Sequence, residues 1–324
     1  MCQAVGFYTH FISYENMNKT AISVVICTYN PRRDYLERVL QALKHQTLSQ
    51  EKWELLLVDN ASKHPLEAEI SLSWHTQARC IREEKLGLTW ARLRGIKEAV
   101  SEIIIFVDDD NVLDSDYLEI TLEIAARWPM LGAWGGQIRA EFEQDPPEWT
   151  KPYWPLLAIR EFNVDKWSNL PHQNEAIPCG AGFCVRRIIA EKYAQIIKTD
   201  PRRGNMDRKG KMLTSCGDSD LAFTAYDINM GTGLFTSLKL THLIPSSRLE
   251  EEYLLRLISG LNYSGTILEF LRGKNPAPPN LKQIILHKYI RWKMDGRSRK
   301  FFDAAQEGIN LALKEIKTNW SAKA

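Results

Sequence analysis

The chain has 324 residues, of which 44% are hydrophobic and 25% charged, with a formal net charge of +2. That length suits one extended domain or two, and the composition is ordinary for a globular protein. A charge this close to zero gives no electrostatic footprint for nucleic acid, and no apolar run approaches the ~20 residues of a membrane-spanning helix. The first residues, MCQAVGFYTHFISYEN, lack the basic-then-apolar pattern of a signal peptide. Six cysteines are scattered without a CxxC pair, which argues against a zinc site or a disulfide framework. Cys27 lies in an apolar run, where a small buried thiol fits, and a reducing cytoplasm is the expected setting.

In chain order, ISVVICT (residues 22–28) reads as a buried strand that ends in Tyr29, Asn30 and Pro31. Leu36, Val39, Leu40 and Leu43 then recur at helical spacing, with Asp34 as the expected N-terminal cap. Residues 55–58 form a second strand ending at Asp59 and Asn60, 80–82 a short third, and 89–100 a helix. Residues 103–107 (IIIFV) are short, β-branched and apolar on both faces, as in a buried parallel strand. A helix follows over 116–128. This alternation predicts a mainly parallel sheet with helices on both faces.

Beyond Gly132 the texture changes. Gly135 and Gly136 lie in a strand-like segment, and 146–154 (PPEWTKPYW) reads as irregular. Residues 199–211 (TDPRRGNMDRKGK) read as a basic, flexible loop carrying Arg202, Arg203, Arg208, Lys209 and Lys211. A helix is expected over 218–230 and a strand over 234–240. Leucine-rich helical patterns dominate from Leu249, broken by the linker GKNPAPP at 273–279. Residues 282–300 carry seven Lys/Arg and one acid. Such a run is a solvated helix face or a contact for an anionic membrane surface.

Asp108, Asp109 and Asp110 directly follow the IIIFV run. Burying unpaired charge is prohibitive, so the three carboxylates must emerge at the strand's carboxyl end, where open α/β sheets hold ligands. Crowded together they repel unless a cation joins them, and oxygen ligands suit Mg²⁺ or Mn²⁺. Thr28 and Asn30, then Asp59, also stand at strand ends, which suggests a shared crevice.

The pieces ISVVICTYNPRR, LLLVDNAS, EEKLGLTWARLRGI, IIIFVDDDNVLDSDYL, CGAGFCVRR, CGDSDLAFTAYDINMGTGLF and THLIPSSR occur in this order over about residues 22–248. In that order they resemble the family 2 glycosyltransferases. The resemblance implies a GT-A fold: an α/β, Rossmann-like mixed sheet flanked by helices over 20–245. A donor half at 20–131, an acceptor half at 132–245 and a helical extension at 246–324 would make up the chain. It implies a nucleotide-diphospho-sugar donor, with Thr28 and Asn30 lining the nucleotide pocket and Asp59 accepting from the base. Lys85, Gly87 and Arg92 would border the ribose and diphosphate. The triplet corresponds to the family's DxD element. Asp110 would bind Mn²⁺ or Mg²⁺, Asp108 would contact ribose or metal-bound water, and Asp109 would be the least engaged member of the donor side. His242 would supply a further metal ligand.

By the same resemblance Asp218 is the base that takes the acceptor hydroxyl's proton in an inverting transfer. Many relatives carry a glutamate before it, where this chain has Gly217. The residue types also allow Asp218 to cap the following helix, with Asp220 in its first turn. Gly180, Ala181 and Gly182 correspond to a small-residue loop beneath the acceptor, and Trp149, Tyr153 and Trp154 are aromatics able to stack on a sugar or pack in a satellite core. The acceptor would be a glycan or a lipid-linked hydroxyl, the context cell-surface polysaccharide assembly, and the location cytoplasmic or peripheral at the membrane's inner face. Two alternatives stand beside this: a catalytically weak relative acting as a binding subunit, supported by the absent glutamate, and a sugar-phosphate nucleotidylyltransferase. The second would want a glycine-rich phosphate loop, which TYNPRR lacks.

Overall fold

In the computed structural model, which describes residues 20–208 and 213–320, the first strand β1 (Ile22–Thr28) is buried along its whole length. Helix α1 (Arg33–Lys44) follows, and here the capping expectation fails. Arg32 is the N-cap, and Asp34 lies in the first turn and binds the Arg32 guanidinium at 2.6 Å. An acidic side chain there still favours the helix dipole, but it caps no backbone N–H.

Strands β2 (Trp53–Asp59) and β3 (Ala78–Arg82), helix α2 (Leu88–Glu98) and strand β4 (Ile103–Asp108) come where the alternation places them. After the aspartates come β5 (Asn111–Leu113), α3 (Tyr117–Arg127) and β6 (Leu131–Phe142), then a run of 3₁₀ turns (Glu148–Leu157) and β7 (Lys166–Ser168). Strand β8 (Phe183–Arg186), α4 (Arg187–Thr199), α5 (Gly217–Asp227) and β9 (Gly231–Ile244) complete the sheet region.

The sheet order is β3-β2-β1-β4-β8-β6-β9-β5, with β7 on β9. The first four strands are parallel, but β8 runs antiparallel to both β4 and β6, and β5 and β7 run antiparallel to β9. The sheet is therefore mixed, and the mainly parallel expectation holds only for β1 to β4. Each of those is joined by a crossover, which parallel pairing requires. Between β6 and β8 the chain instead makes a long excursion of 3₁₀ turns and returns reversed.

Alternation along the buried strands sends side chains to opposite faces. Ile22, Val24, Ile26, Leu55, Leu57 and Ile105 join α1 and α3 in one apolar cluster. Val25, Leu56, Val58, Ile104 and Phe106 join Ala91, Ile96, Ile189 and Leu221 in another. Helices thus cover both faces, as expected.

Among the described residues, α6 (Glu251–Leu271), α7 (Leu281–Lys293) and α8 (Gly296–Glu315), the last continued by a π-helical turn (Ile316–Trp320), follow the sheet region. Leu254 and Leu257 of α6 and Phe301 of α8 bury against Leu157 and Ile244. Helix α7 buries no residue. Among the described residues no helix is long and apolar enough to cross a membrane.

Candidate active site

Register brings the polar strand ends together: Thr28 is paired with Asp59, and Cys27 with Asp108. Because β1 lies between β2 and β4, connections depart to either side of it, and a crevice opens beyond the carboxyl ends of β1 and β4. A cavity of about 440 Å³ sits there, within the size range of small-molecule sites. Thr28 and all three aspartates line it.

The aspartates have distinct surroundings. Thr28 donates its hydroxyl hydrogen to Asp109. Burial, and then the neighbouring Asp110 charge, push the Asp109 carboxyl up to about 7, and the same two causes raise Asp108. Asp110 goes the other way. Burial opposes its ionisation, but the Arg248 guanidinium, 2.8 Å from its Oδ2, outweighs that and holds it well below the usual carboxylate range. Asn111 Nδ2 donates to the other oxygen at 3.0 Å.

His242 reaches the same spot because β5 pairs Asn111 with His242 on β9. Its Nε2 lies 3.4 Å from Asp110 Oδ2 and 2.9 Å from Arg248 Nη1, and its Nδ1 lies 3.0 Å from the Leu157 carbonyl. Arginine only donates, so Nε2 is the accepting nitrogen and Nδ1 donates to Leu157. That backbone bond fixes the tautomer whose Nε2 lone pair accepts from Arg248 beside Asp110. No cluster of three or more His, Cys, Asp or Glu able to hold a metal occurs among the described residues. The convergent pair is Asp110 and His242, with Arg248 bridging them.

The residues expected to line a nucleotide pocket split. Asn30, at φ 48°, takes Ser62 Oγ on its N–H and Lys63 N–H on its side chain. Asp59 is buried and accepts from Ser62 N, Leu66 N and Arg82 Nη1 at 2.7–3.1 Å. Neither lines the cavity; both organise the loop after β2. Asn60, which sequence reasoning passed over, does line it. Its amide donates to the Glu83 and Lys85 carbonyls and accepts from Gly87 N–H at 2.8 Å, pinning the segment before α2. Gly87 has φ +137°, open to glycine and strained for other residues. Lys85 Nζ sits over the Trp90 ring, 3.1 Å from its centroid.

The opposite wall is built around Arg92. It is buried on α2 and donates to Asp207 Oδ2 at 2.9 Å. Burial works against its charge, but Asp207, then Asp218 and Asp108, keep it ionised. Asp207 also accepts from Thr89 Oγ1 at 3.0 Å and from Gly217 N–H at 3.1 Å. A Cβ on Gly217 would stand 2.1 Å from Asp207 Oδ2. Asp207 thus fills the space beside Asp218 that the side chain of residue 217 would need. Asp218 lines the cavity in the first turn of α5 and accepts from Gly180 N–H at 2.6 Å and Ser219 N–H at 2.7 Å. Cys216, not Asp218, is the N-cap of α5.

Gly180 and Ala181 line the cavity, and Gly182 does not. A Cβ on Gly180 would come 2.7 Å from Arg92 Nη2, so the protein's own packing already demands a small residue. Trp149 packs against Tyr153 and Phe301 beneath Arg297, and Trp154 against Phe142 with its Nε1 on Thr150. Their neighbours Pro155, Leu156, Leu157 and Ala158 form the cavity wall instead. Asp220 is fully buried, bound by Arg203 at 2.6 Å and Arg272 at 2.9 Å, away from the cavity.

The basic stretch is less free than its composition suggests. Arg203 is buried on Asp220 and Arg202 binds Asp200, so this part of the stretch is a set of 3₁₀ turns (Pro201–Asn205) and not a flexible loop. Ion pairing there outweighs the turn-prone composition. Arg208 lines the cavity, and Lys209 and Lys211 lie outside the described residues. Arg248, Asn60 and Asp207 were not anticipated. Leu257 and Leu261 of α6 add an apolar wall.

The model of Glycosyl transferase family 2 matches residues 23–193. The chain belongs to that family. EpsH of Bacillus subtilis (strain 168), which carries a glycosyltransferase name, is 31% identical over 319 residues, covering 91% of this chain and 84% of EpsH. The glycosyltransferase AglE of Haloferax volcanii is 30% identical over 101 residues, covering 30% of this chain and 33% of AglE. The cholesterol galactosyltransferase of Borreliella burgdorferi is 29% identical over 106 residues, 32% of this chain and 29% of that protein. The crystal structure of S. aureus TarS 1-349 superposes with a TM-score of 0.50 at 15% identity, covering 91% of this chain and 81% of that one. The fold is GT-A and the family member is a glycosyltransferase.

Proposed function

We propose that the protein transfers a sugar, with inversion, from a nucleotide-diphospho-sugar to a hydroxyl of a glycan or lipid-linked acceptor, in cytoplasmic assembly of cell-surface polysaccharide. The observation that carries this is a single cavity at the sheet's switch point, lined by Asp108, Asp109, Asp110 and His242 as well as by Asp218.

The residues present fit a divalent cation. Asp110 offers a carboxylate held ionised, and His242 offers a lone pair whose tautomer is set by Leu157. Mg²⁺ commonly takes one or two protein ligands together with substrate phosphates, so a convergent pair is enough. When bound, Mn²⁺ or Mg²⁺ would stabilise charge developing on the departing nucleoside diphosphate. Asp110 and His242 would hold it, and Asp108 would bind ribose or an attached water.

Around the donor, Asn60 keeps the Lys85–Gly87 backbone in position to border the ribose and diphosphate, and Asp59 and Asn30 shape the base pocket with Thr28. At the acceptor, the hydroxyl oxygen attacks the anomeric carbon as the bond from that carbon to phosphate oxygen breaks. Its proton passes to Asp218 Oδ2, and the electron pair leaves with the diphosphate. The Gly180 N–H fixes the direction of that oxygen. The buried Asp207 carboxylate beside Gly217 supports competence despite the absent glutamate.

Calorimetry with nucleoside diphosphates and Mn²⁺ tests the donor half: binding is expected, and Asp110→Ala should abolish its metal dependence. Asp218→Asn should retain donor binding and lose transfer. Turnover preserved in that variant would overturn the base assignment.

A further inference from the structure

Helix α7 is apolar and basic at once, and among the described residues nothing covers it. It follows the linker after α6 and starts with its own capping box, in which Asn280 accepts from Gln283 N–H and Gln283 accepts from Asn280 N–H. Tertiary packing contributes little: no residue of α7 is buried. His287 touches Phe302 edge-on and Arg291 pairs with Asp303, which fixes the side that meets α8. Leu281, Ile285, Tyr289 and Trp292 recur at four- and three-residue steps along the opposite side. Leu281 is 72% and Trp292 71% exposed. An unbroken row of this kind marks an interaction surface.

The charges select the partner. Helix α7 has four basic side chains and no acid. Arg291 is spent on Asp303, while Lys282, Lys288 and Lys293 have no ion pair among the described residues. Lys293 lies over the Tyr289 ring instead, 4.6 Å from its centroid. The one acid of the basic stretch, Asp295, is occupied in capping α8. A second copy would bring the same positive face and be repelled. An anionic bilayer answers both features: Trp and Tyr settle at the headgroup boundary, and lysines meet negative lipid.

We propose that α7 is a membrane-surface anchor. It lies in the interface of an anionic bilayer with Leu281, Ile285, Tyr289 and Trp292 inserted and Lys282, Lys288 and Lys293 on the headgroups.

Vesicle flotation of the full chain tests this. The protein should float with phosphatidylcholine–phosphatidylglycerol vesicles at about 0.1 M salt, stay behind with phosphatidylcholine alone, and release near 1 M, where the screening length falls to about 3 Å. Replacing Lys282, Lys288 and Lys293 by Gln should weaken binding about 100-fold, at roughly fivefold per lysine. Leu281→Ser with Ile285→Ser and Trp292→Ser should abolish it. Because α7 buries nothing, both variants should melt with the parent, which separates lost binding from lost folding. Absence of flotation on anionic vesicles, or flotation unchanged in both variants, would overturn the anchor. So would concentration-dependent dimers in light scattering that the serine variant dissolves, since a second copy would then own this face.

Discussion

Removing the Asp207 charge should damage the protein in two separable ways. Asp207 is buried and accepts three hydrogen bonds, from Arg92, Thr89 and Gly217 N–H. Truncating one partner of a buried pair strands the other charge and costs about 3–5 kcal/mol. Asp207→Asn keeps an oxygen for part of this set and should fall near the lower end, and Asp207→Ala, which strands every donor, near the upper. Urea unfolding monitored by fluorescence reads this directly. The second effect is catalytic. The other carboxylates acting on Arg92 are Asp218 and Asp108, so an unpartnered guanidinium turns toward Asp218 and competes with the acceptor hydroxyl for its carboxylate. Transfer rates for Asp207→Asn should fall while donor binding is retained. The double variant Arg92→Met/Asp207→Leu should recover most of the stability and none of the rate, because an apolar pair replaces both charges. A loss below about 1 kcal/mol with an undiminished transfer rate would refute the reasoning.

Other outcomes follow from neighbouring geometry. Arg248→Gln removes the guanidinium bridging Asp110 and His242. It should tighten Mn²⁺ binding to the donor-free protein by roughly tenfold, about 1.4 kcal/mol; weaker Mn²⁺ binding in calorimetry would count against Asp110 and His242 as the holding pair. Gly182→Ala meets φ +65° and would set a Cβ 2.4 Å from Tyr117 Oη. Strain and overpacking together predict a loss of about 2–5 kcal/mol in urea, and a neutral result would contradict the packing described. His75 is buried and accepts from Gln77 N–H on Nδ1 at 3.1 Å, and burial lowers its pKa from the usual 6.5. The neutral ring's stabilisation is complete above 6.5 and is lost as pH falls from there through the depressed folded value, with a slope of up to about 1.4 kcal/mol per pH unit. His75→Asn, which keeps an acceptor for Gln77, should flatten that acid slope in pH-dependent denaturation.

The residues differ in how far their sequence context foretold them. Strands β1, β2 and β4 were legible because a continuous β-branched run has few other uses, and their polar ends marked the crevice. Strand β5 was not, since three residues directly after three aspartates leave no periodic window. Strand β8 and helix α4 were hidden behind a glycine-rich start, although Ile189, Ala190, Tyr193 and Ile197 do recur at helical spacing. Asp110 and His242 were expected by resemblance as ligands of one metal and lie 3.4 Å apart, but the bridging Arg248 was not expected, because nothing in SSR announces a side chain that folds back on the triplet. Asp207 was masked by its basic surroundings. Its partner Arg92 lies 115 positions earlier, and the one local hint was Gly217, where the resemblance implies a glutamate. Asp59, Trp149 and Trp154 show the converse: a polar strand end or an aromatic cluster signals importance without saying whether a ligand or the scaffold uses it.

Helix α6 has a consequence for how the enzyme would meet its acceptor. Its Leu257 and Leu261 wall the cavity, while Leu254 and Leu257 share a buried cluster with Phe301 of α8, which in turn carries α7 through Arg291–Asp303. One stack of helices therefore connects the reaction chamber to the proposed anchor. An enzyme moored by α7 would search for a lipid-borne acceptor in two dimensions instead of three, and the effective concentration of that acceptor would be set by its density in the sheet of lipid. Affinity for the acceptor's head could then stay weak, leaving the product free to depart.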